Sequence, residues 1–220
     1  MSKKLPPNGF LYSIYSKDEK PNRFFEHQFL RSLESLKNIL PDCSVTLYTN
    51  IKFDNKYKID NIIEDAEIPK KHIAKAYGLL KSPYKKTVFL DTDTIIHREV
   101  INDIFTVLDE FDFACCTGNV FERGSIFPDY NTGLLGVKKN SFTNQEIKKW
   151  IKGFEEENMV LDQKHFREIF MRNKTKFYTL PWWFQHRYEH FDEYKSNRVI
   201  THSQSMNTGE VTKQIKKRVK

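Results

Sequence analysis

Apolar residues along the chain follow two alternating rhythms. Short runs rich in aromatic and β-branched residues at positions 9–15 (GFLYSIY), 44–49 (SVTLYT), 87–90 (TVFL), 111–117 and 130–137 (YNTGLLGV) have the length and composition of buried strands. Residues 59–63 read as a weaker strand, and 64–69 as a turn. Elsewhere the apolar spacing lengthens to three and four. Phe25, Phe29, Leu33, Leu36 and Leu40 mark an amphipathic helix over 22–40, with Pro41 just past its end. The same reasoning predicts helices over 70–80 (stopped by Ser82-Pro83), 101–108, 145–154 and 162–172, and from 177 onward the chain reads as aromatic and irregular. Strands alternating with helices predict an α/β fold with a mainly parallel central sheet flanked by helices. No repeat or linker divides the 220 residues, so one domain over 1–220 is expected.

Composition supports a folded domain, since 39% hydrophobic and 14% aromatic residues are too many for a disordered chain. The formal charge of +7 favours anionic partners: nucleotides, nucleic acid or acidic membrane surfaces. Part of it lies in a basic tail over about 211–220, where the ordinary expectation is a solvated chain end. The other basic residues are scattered, and their interleaving with aromatics keeps a nucleic-acid-binding protein as an alternative function. The sharpest motif is acidic, however, so no specific nucleic-acid partner is expected. Cys43, Cys115 and Cys116 fit neither a disulfide framework nor zinc spacing, and read as reduced, mostly buried thiols. No apolar run approaches the ~20 residues that span a bilayer, and the first residues lack the apolar core of a signal peptide. A soluble, cytoplasmic protein without a transmembrane segment is the expectation.

The chemistry concentrates at Asp91-Thr92-Asp93, directly after the most apolar strand. In open parallel sheets, ligands bind beyond the carboxyl ends of the strands. Two carboxylates held close together ionise cheaply only with a cation between them. Hard oxygen ligands suit Mg²⁺ or Mn²⁺, which keep water and substrate phosphates in their shell. The plain alternative is that the aspartates cap the following turn. Asp91-Thr92-Asp93-Thr94-Ile95 also resembles the signature of haloacid-dehalogenase-type phosphatases. There the motif normally follows the first strand and a later acidic pair completes the Mg²⁺ site. Here three candidate strands precede it, and neither Gly-Asp-x-x-x-Asp nor Asp-Asp follows.

A longer stretch, residues 75–97 (KAYGLLKSPYKKTVFLDTDTIIH), resembles the central signature of the nucleotide-diphosphosugar transferases of the GT-A fold: a basic residue in a helix, a Ser-Pro turn, an apolar strand, then Leu-Asp-x-Asp-Thr. Further elements follow in that family's order. Asn131-Thr132-Gly133 resembles the Asn-Ser/Thr-Gly strand facing the transferred sugar, Asp162-Gln163 the Asp-Gln pair opening a helix, and Leu180-Pro181 the segment after it. His202 stands where a late histidine completes the metal shell. The likeness covers roughly 9–205 and is nearest to the family-eight-like transferases, and in size to small sugar transferases of large DNA viruses and bacteria. The chain lacks the family's Gly-x-x-Lys-Pro-Trp tail.

This resemblance implies a single GT-A (Rossmann-like) domain and a metal-dependent glycosyltransferase. The enzyme would move a sugar from a nucleotide-diphosphate donor, UDP-linked by the family pattern, to a glycan or glycoprotein acceptor. It implies Mn²⁺ (or Mg²⁺) on Asp91, Asp93 and His202. Donor contacts would come from Tyr12, Ser13, Tyr15, Lys75, Asp91, Thr92 and Asp93, and catalytic contacts near the sugar from Asp162, Gln163 and Asn131. Each has a plainer alternative: a solvated Lys75, core packing for the tyrosines, a helix cap for Asp162, a surface loop for His202. The aromatic cluster Trp182, Trp183, Phe184, His186 and Tyr188 could stack on the C–H faces of an acceptor sugar. Core filling is its rival role, expected for at least one of the two tryptophans.

Overall fold

A computed structural model of the chain describes residues 6–16, 23–53, 57, 59–69, 71–117, 130–157, 162–172, 175–187 and 198–202. Strands and helices alternate as the apolar rhythm predicts: β1 (Asn8–Ile14), α1 (Arg23–Ile39), β2 (Val45–Thr49), β3 (Asn61–Glu64), α2 (Ala74–Lys81), β4 (Lys86–Leu90), β5 (Thr94–Ile96), α3 (Ile104–Glu110), β6 (Phe113–Thr117), β7 (Tyr130–Lys138), α4 (Ser141–Glu156), α5 (Gln163–Arg172), β8 (Phe177–Leu180), β9 (His186–Arg187) and β10 (Ile200–His202).

Seven strands form one sheet in the order β3-β2-β1-β4-β7-β6-β8. The first four are mutually parallel, as are β6 and β8. Only β7 is reversed, antiparallel to both β4 and β6. The reversal has a consequence for the site. Because β7 enters the sheet where β4 leaves it, its first residues come to lie beside the residues that follow β4.

Both faces of the sheet are covered, which is why its strands read as continuous apolar runs. Phe10, Tyr12, Ile14, Val88 and Leu90 point into a layer with Phe29, Leu33 and Leu36 of α1 and Ile104 and Leu108 of α3. Leu11, Phe89, Leu135 and Val137 point the other way, against Leu79 of α2, Trp150 and Phe154 of α4, and Phe166 of α5. Each such side chain contributes about 1.5–3 kcal/mol on burial.

A second, three-stranded sheet, β5-β10-β9, was not expected. Of the chain from 177 on, the described residues 177–187 and 198–202 include β8, a 3₁₀ turn (Trp182–Gln185), β9 and β10, where no regular element was expected. These strands are two to four residues long, too short to show a period, and they exist by pairing with distant segments. Helix and strand starts also move. α2 begins at Ala74 rather than 70, the weak strand covers 61–64 rather than 59–63, and a 3₁₀ turn (Glu99–Asp103) precedes α3. α4 starts a turn early, because the Asn140 side chain accepts from the Thr143 amide while Thr143 Oγ1 accepts from the Asn140 amide. Cys115 and Cys116 are buried and Cys43 partly so, all three as free thiols; burial pushes the Cys43 thiol up to about 11. Among the described residues no helix is long and apolar enough to cross a membrane. The basic tail over 211–220 lies outside the described residues.

Candidate active site

The site grows from the end of β4. The Asp91 amide donates to the Gly133 carbonyl across the β4–β7 ladder at 2.8 Å. The chain then turns through Thr92 and Asp93 and returns as β5, whose antiparallel partner β10 sets His202 opposite Thr94. The small second sheet is thus what delivers His202 to the aspartates. Its Nε2 lies 3.0 Å from Asp93 Oδ1 and 3.5 Å from Asp91 Oδ2. On its other side, Gln185 Nε2 lies 2.7 Å from His202 Nδ1.

α1 holds the turn from below. Thr94 Oγ1 is 2.8 Å from the Asp91 carbonyl, which can only accept, so the threonine hydroxyl donates there. It must then accept from Ser32 Oγ at 2.8 Å, and Ser32 in turn accepts from the Tyr12 phenol at 3.0 Å. Burial pushes the Tyr12 phenol well above its ordinary range, keeping it a donor. The Ile96 amide donates to Ser35 at 3.0 Å, and Thr92 Oγ1 to Gln28 Oε1 at 3.4 Å. Tyr12 is thus fully buried in the core, with its hydroxyl at the far end of a directed hydrogen-bond chain to Asp91. Ser13 and Tyr15 stand beyond it. Ser13 Oγ is buried with no hydrogen-bond partner among the described residues. Tyr15 is half-buried within the field of Lys75, Asp91 and Asp162, and burial raises its pKa.

On the opposite side, α2 aims Lys75 at the same place. Lys75 is not the solvated lysine of the plainer alternative, being 6% exposed. Its Nζ lies 3.2 Å from Asp91 Oδ1, 3.7 Å from Asp162 Oδ2 and 3.1 Å from Thr132 Oγ1. Thr132 Oγ1 donates to Asp162 Oδ2 at 2.9 Å, and the Trp150 indole donates to the Asp162 carbonyl at 2.8 Å. Asp162 therefore directs its carboxylate at β7 and Lys75. Asn131 Oδ1 accepts from the Gly133 amide at 3.0 Å, while Gln163 is half-buried at the first position of α5.

Electrostatically the cluster is short of positive charge, with three carboxylates facing one fixed cation. Burial lowers the pKa of Lys75, but Asp162, Asp91 and Asp93 outweigh it and hold the ammonium charged well beyond its ordinary range. Burial likewise raises the pKa of Asp93; the hydrogen bond and charge of His202, with Lys75, outweigh it and keep the carboxyl ionised below its usual value. The ligand atoms of Asp91, Asp93 and His202 all lie within 4.8 Å of one another. Two carboxylates and an imidazole are donors suited to Mn²⁺ and, less selectively, Mg²⁺. The 3.0 Å separation of His202 Nε2 from Asp93 Oδ1 matches the about 3.0 Å edge of an octahedron with bonds near 2.1 Å. Gly133 leaves room for this: a Cβ there would lie 2.3 Å from His202 Cε1 and 2.6 Å from Asp91 Oδ2.

Two partners here carry no sequence signal of their own: Ser32 and Gln185 are single polar residues in a helix and in an irregular-looking stretch, whereas Thr94 and Thr132 sit inside motifs that gave them no role. Trp182 and Trp183 correct another expectation: neither fills the core, both being exposed at 41% and 39%, while Phe184 between them and Gln185 turns inward. The two indoles stand edge to face, with centroids 5.8 Å apart. The His186 side chain and Tyr188 lie outside the described residues.

No family model and no curated protein matches the chain. Solved structures do. The glycosyltransferase GlyE of Streptococcus pneumoniae TIGR4 superimposes with a TM-score of 0.68 at 16% identity over 91% of this chain. The chain spans only 56% of GlyE's length. A glycosyltransferase involved in the glycosylation of the major capsid of PBCV-1 gives 0.62 at 14% identity, covering 96% of this chain and 100% of that one. The galactosyltransferase LgtC, solved with donor and acceptor sugar analogues, gives 0.60 at 13% identity, covering 88% and 86%. The chain has the GT-A fold of these glycosyltransferases.

Proposed function

We propose that the chain is a metal-dependent glycosyltransferase that takes a sugar from a nucleotide-diphosphate donor, UDP-linked by preference, to a glycan or glycoprotein acceptor. The observation that carries this reading is the convergence of Asp91, Asp93 and His202 at the carboxyl end of β4. Two segments far apart in the chain, the turn after β4 and the end of β10, deliver these side chains to one point. The GT-A fold around them supports the same reading.

Asp91, Asp93 and His202 would hold Mn²⁺ or Mg²⁺, which when bound neutralises the diphosphate leaving group. The remaining roles belong to the chain. Lys75 fixes Asp91 and Asp162 and adds positive charge on the phosphate side. Ser13 and Tyr15, at the open end of β1, face the nucleoside, while Tyr12 secures the turn from within. Thr92 stays with Gln28, keeping the turn rigid as the donor binds. Asp162 binds a sugar hydroxyl through the oxygen not given to Thr132. Asn131 shapes the β7 entry, and Gln163 offers a neutral amide close to the anomeric carbon. Trp182 and Trp183 present an exposed aromatic surface to the acceptor sugar.

Hydrolysis of a panel of nucleotide sugars in ¹⁸O-labelled water with Mn²⁺ tests the reaction class. In glycosyl transfer the carbon–oxygen bond of the donor breaks, so the label enters the released sugar and the nucleoside diphosphate stays unlabelled. Label in phosphate would assign the acidic pair to phosphoryl transfer instead.

A further inference from the structure

We infer that Gln185 is a positioning residue for His202, fixing the imidazole in the tautomer whose Nε2 lone pair can bind a cation. The inference rests on the metal-site reading above and deepens it. Gln185 is 7% exposed and ends the 3₁₀ turn after β8, with its amide 2.7 Å from His202 Nδ1. With the amide nitrogen toward Nδ1, the ring nitrogen accepts. A neutral imidazole then carries its proton on Nε2, pointed at Asp93 Oδ1 3.0 Å away. In that orientation Gln185 Oε1 is buried with no hydrogen-bond partner among the described residues, a desolvated acceptor left unsatisfied.

A half-turn of the amide exchanges its two ends without moving the side chain. Oε1 then accepts from Nδ1–H, and the Nε2 lone pair faces the two carboxylates. Two acceptors at that spacing repel each other unless a cation lies between them. The oxygen-inward orientation is thus the one that a cation-binding Nε2 requires. A ligating histidine generally donates its other ring N–H to an acceptor of this kind, and loss of such a partner costs 10–100-fold in metal affinity. Gln185 supplies that acceptor from a segment that the sequence marks chiefly by its aromatics.

Measuring free Mn²⁺ by electron paramagnetic resonance gives the affinity of the full chain, with circular dichroism and thermal melting confirming that each variant folds. Gln185→Leu, similar in size but without an acceptor, is expected to weaken Mn²⁺ binding 10–100-fold. Gln185→Glu, whose carboxylate only accepts, is expected to match the wild type or bind more tightly. Should Gln185→Leu fail to fold, Gln185→Asn takes its place; its amide is a methylene too short to reach Nδ1, and the same weakening is expected. Wild-type affinity in Gln185→Leu or Gln185→Asn, or a Gln185→Glu as weak as either, overturns the assignment. Asp93→Asn, measured alongside, separates the two levels. If it leaves Mn²⁺ binding intact, the metal site itself is wrong. If it abolishes binding while Gln185→Leu binds normally, only the role of Gln185 falls.

Discussion

Gly133→Ala is the smallest change that should dismantle the site while sparing the fold. The added Cβ would lie 2.3 Å from His202 Cε1, 2.6 Å from Asp91 Oδ2 and 3.0 Å from Gln185 Nε2. Ordinary carbon contacts need about 3.5 Å, so the imidazole must retreat by roughly 1 Å. Metal–ligand distances tolerate about ±0.2 Å, so the substitution removes His202 from the shell rather than bending it. Overpacking of this kind costs about 1–3 kcal/mol. Part of that cost is avoided if the ring swings away, in which case it reappears as lost metal affinity. We expect Mn²⁺ affinity to fall at least tenfold, and donor hydrolysis about 10²-fold, the usual penalty for a 1 Å misplacement. Gly136→Ala on the same strand is the control. Its Cβ would meet Ile104 Cγ2 at 2.8 Å and Ala114 Cβ at 3.2 Å, so it should lower the melting temperature and leave Mn²⁺ binding alone. Calorimetric Mn²⁺ titration and thermal melts of both variants decide the matter. Wild-type Mn²⁺ binding by a folded Gly133→Ala would refute the close approach of His202 and Asp91.

Two further perturbations probe the surroundings. Lys75→Met should destabilise the metal-free chain by up to about 3 kcal/mol, by leaving the buried Asp162 and the partly exposed Asp91 uncompensated, with Mn²⁺ restoring part of the loss; urea melts that coincide with the wild type would contradict this. Away from the site, the Asp65 carboxyl accepts from Lys81 and from the Tyr48 phenol, which hold its pKa below the ordinary carboxylate value. A carboxyl depressed on folding stabilises above its unfolded pKa of about 3.9, and that stability disappears as pH falls through the lower folded value. Asp65→Asn should therefore be less stable than wild type at neutral pH, with the gap closing below about pH 4. An equal gap in urea melts at both pH values would rule this out.

The parts of the site legible in the sequence are those written locally. Asp91 and Asp93 are contiguous with an apolar strand, so position and chemistry can be read from a handful of residues. The helices of both core layers were legible for the same reason, since their apolar period repeats over two or more turns. Lys75 was legible only through resemblance, because nothing local tells a buried lysine from a solvated one. Its burial depends on Thr132 and Asp162, which β7 and α5 bring in from far along the chain. The second sheet was invisible because two- and three-residue strands have no period. With it were lost the reason His202 reaches the aspartates and any hint of Gln185. Tyr12 is expected among the donor contacts, but the two-residue alternation of β1 turns it inward to Ser32. Its neighbours Ser13 and Tyr15 take the other side of the strand, with Ser13 Oγ buried and Tyr15 half-buried.

The central claim, a nucleotide diphosphate bound through a metal on Asp91, Asp93 and His202, is tested most directly by calorimetric titration of UDP into the full chain. The titration is run with Mn²⁺ and with chelator, on wild type and on Asp93→Asn. UDP is expected to bind the wild type with Mn²⁺, and more tightly than GDP, CDP or ADP. That binding should be lost in chelator, and lost in an Asp93→Asn chain that circular dichroism shows to be folded. UDP binding of equal strength in chelator, or Mn²⁺-dependent binding to Asp93→Asn at the wild-type level, would contradict the account.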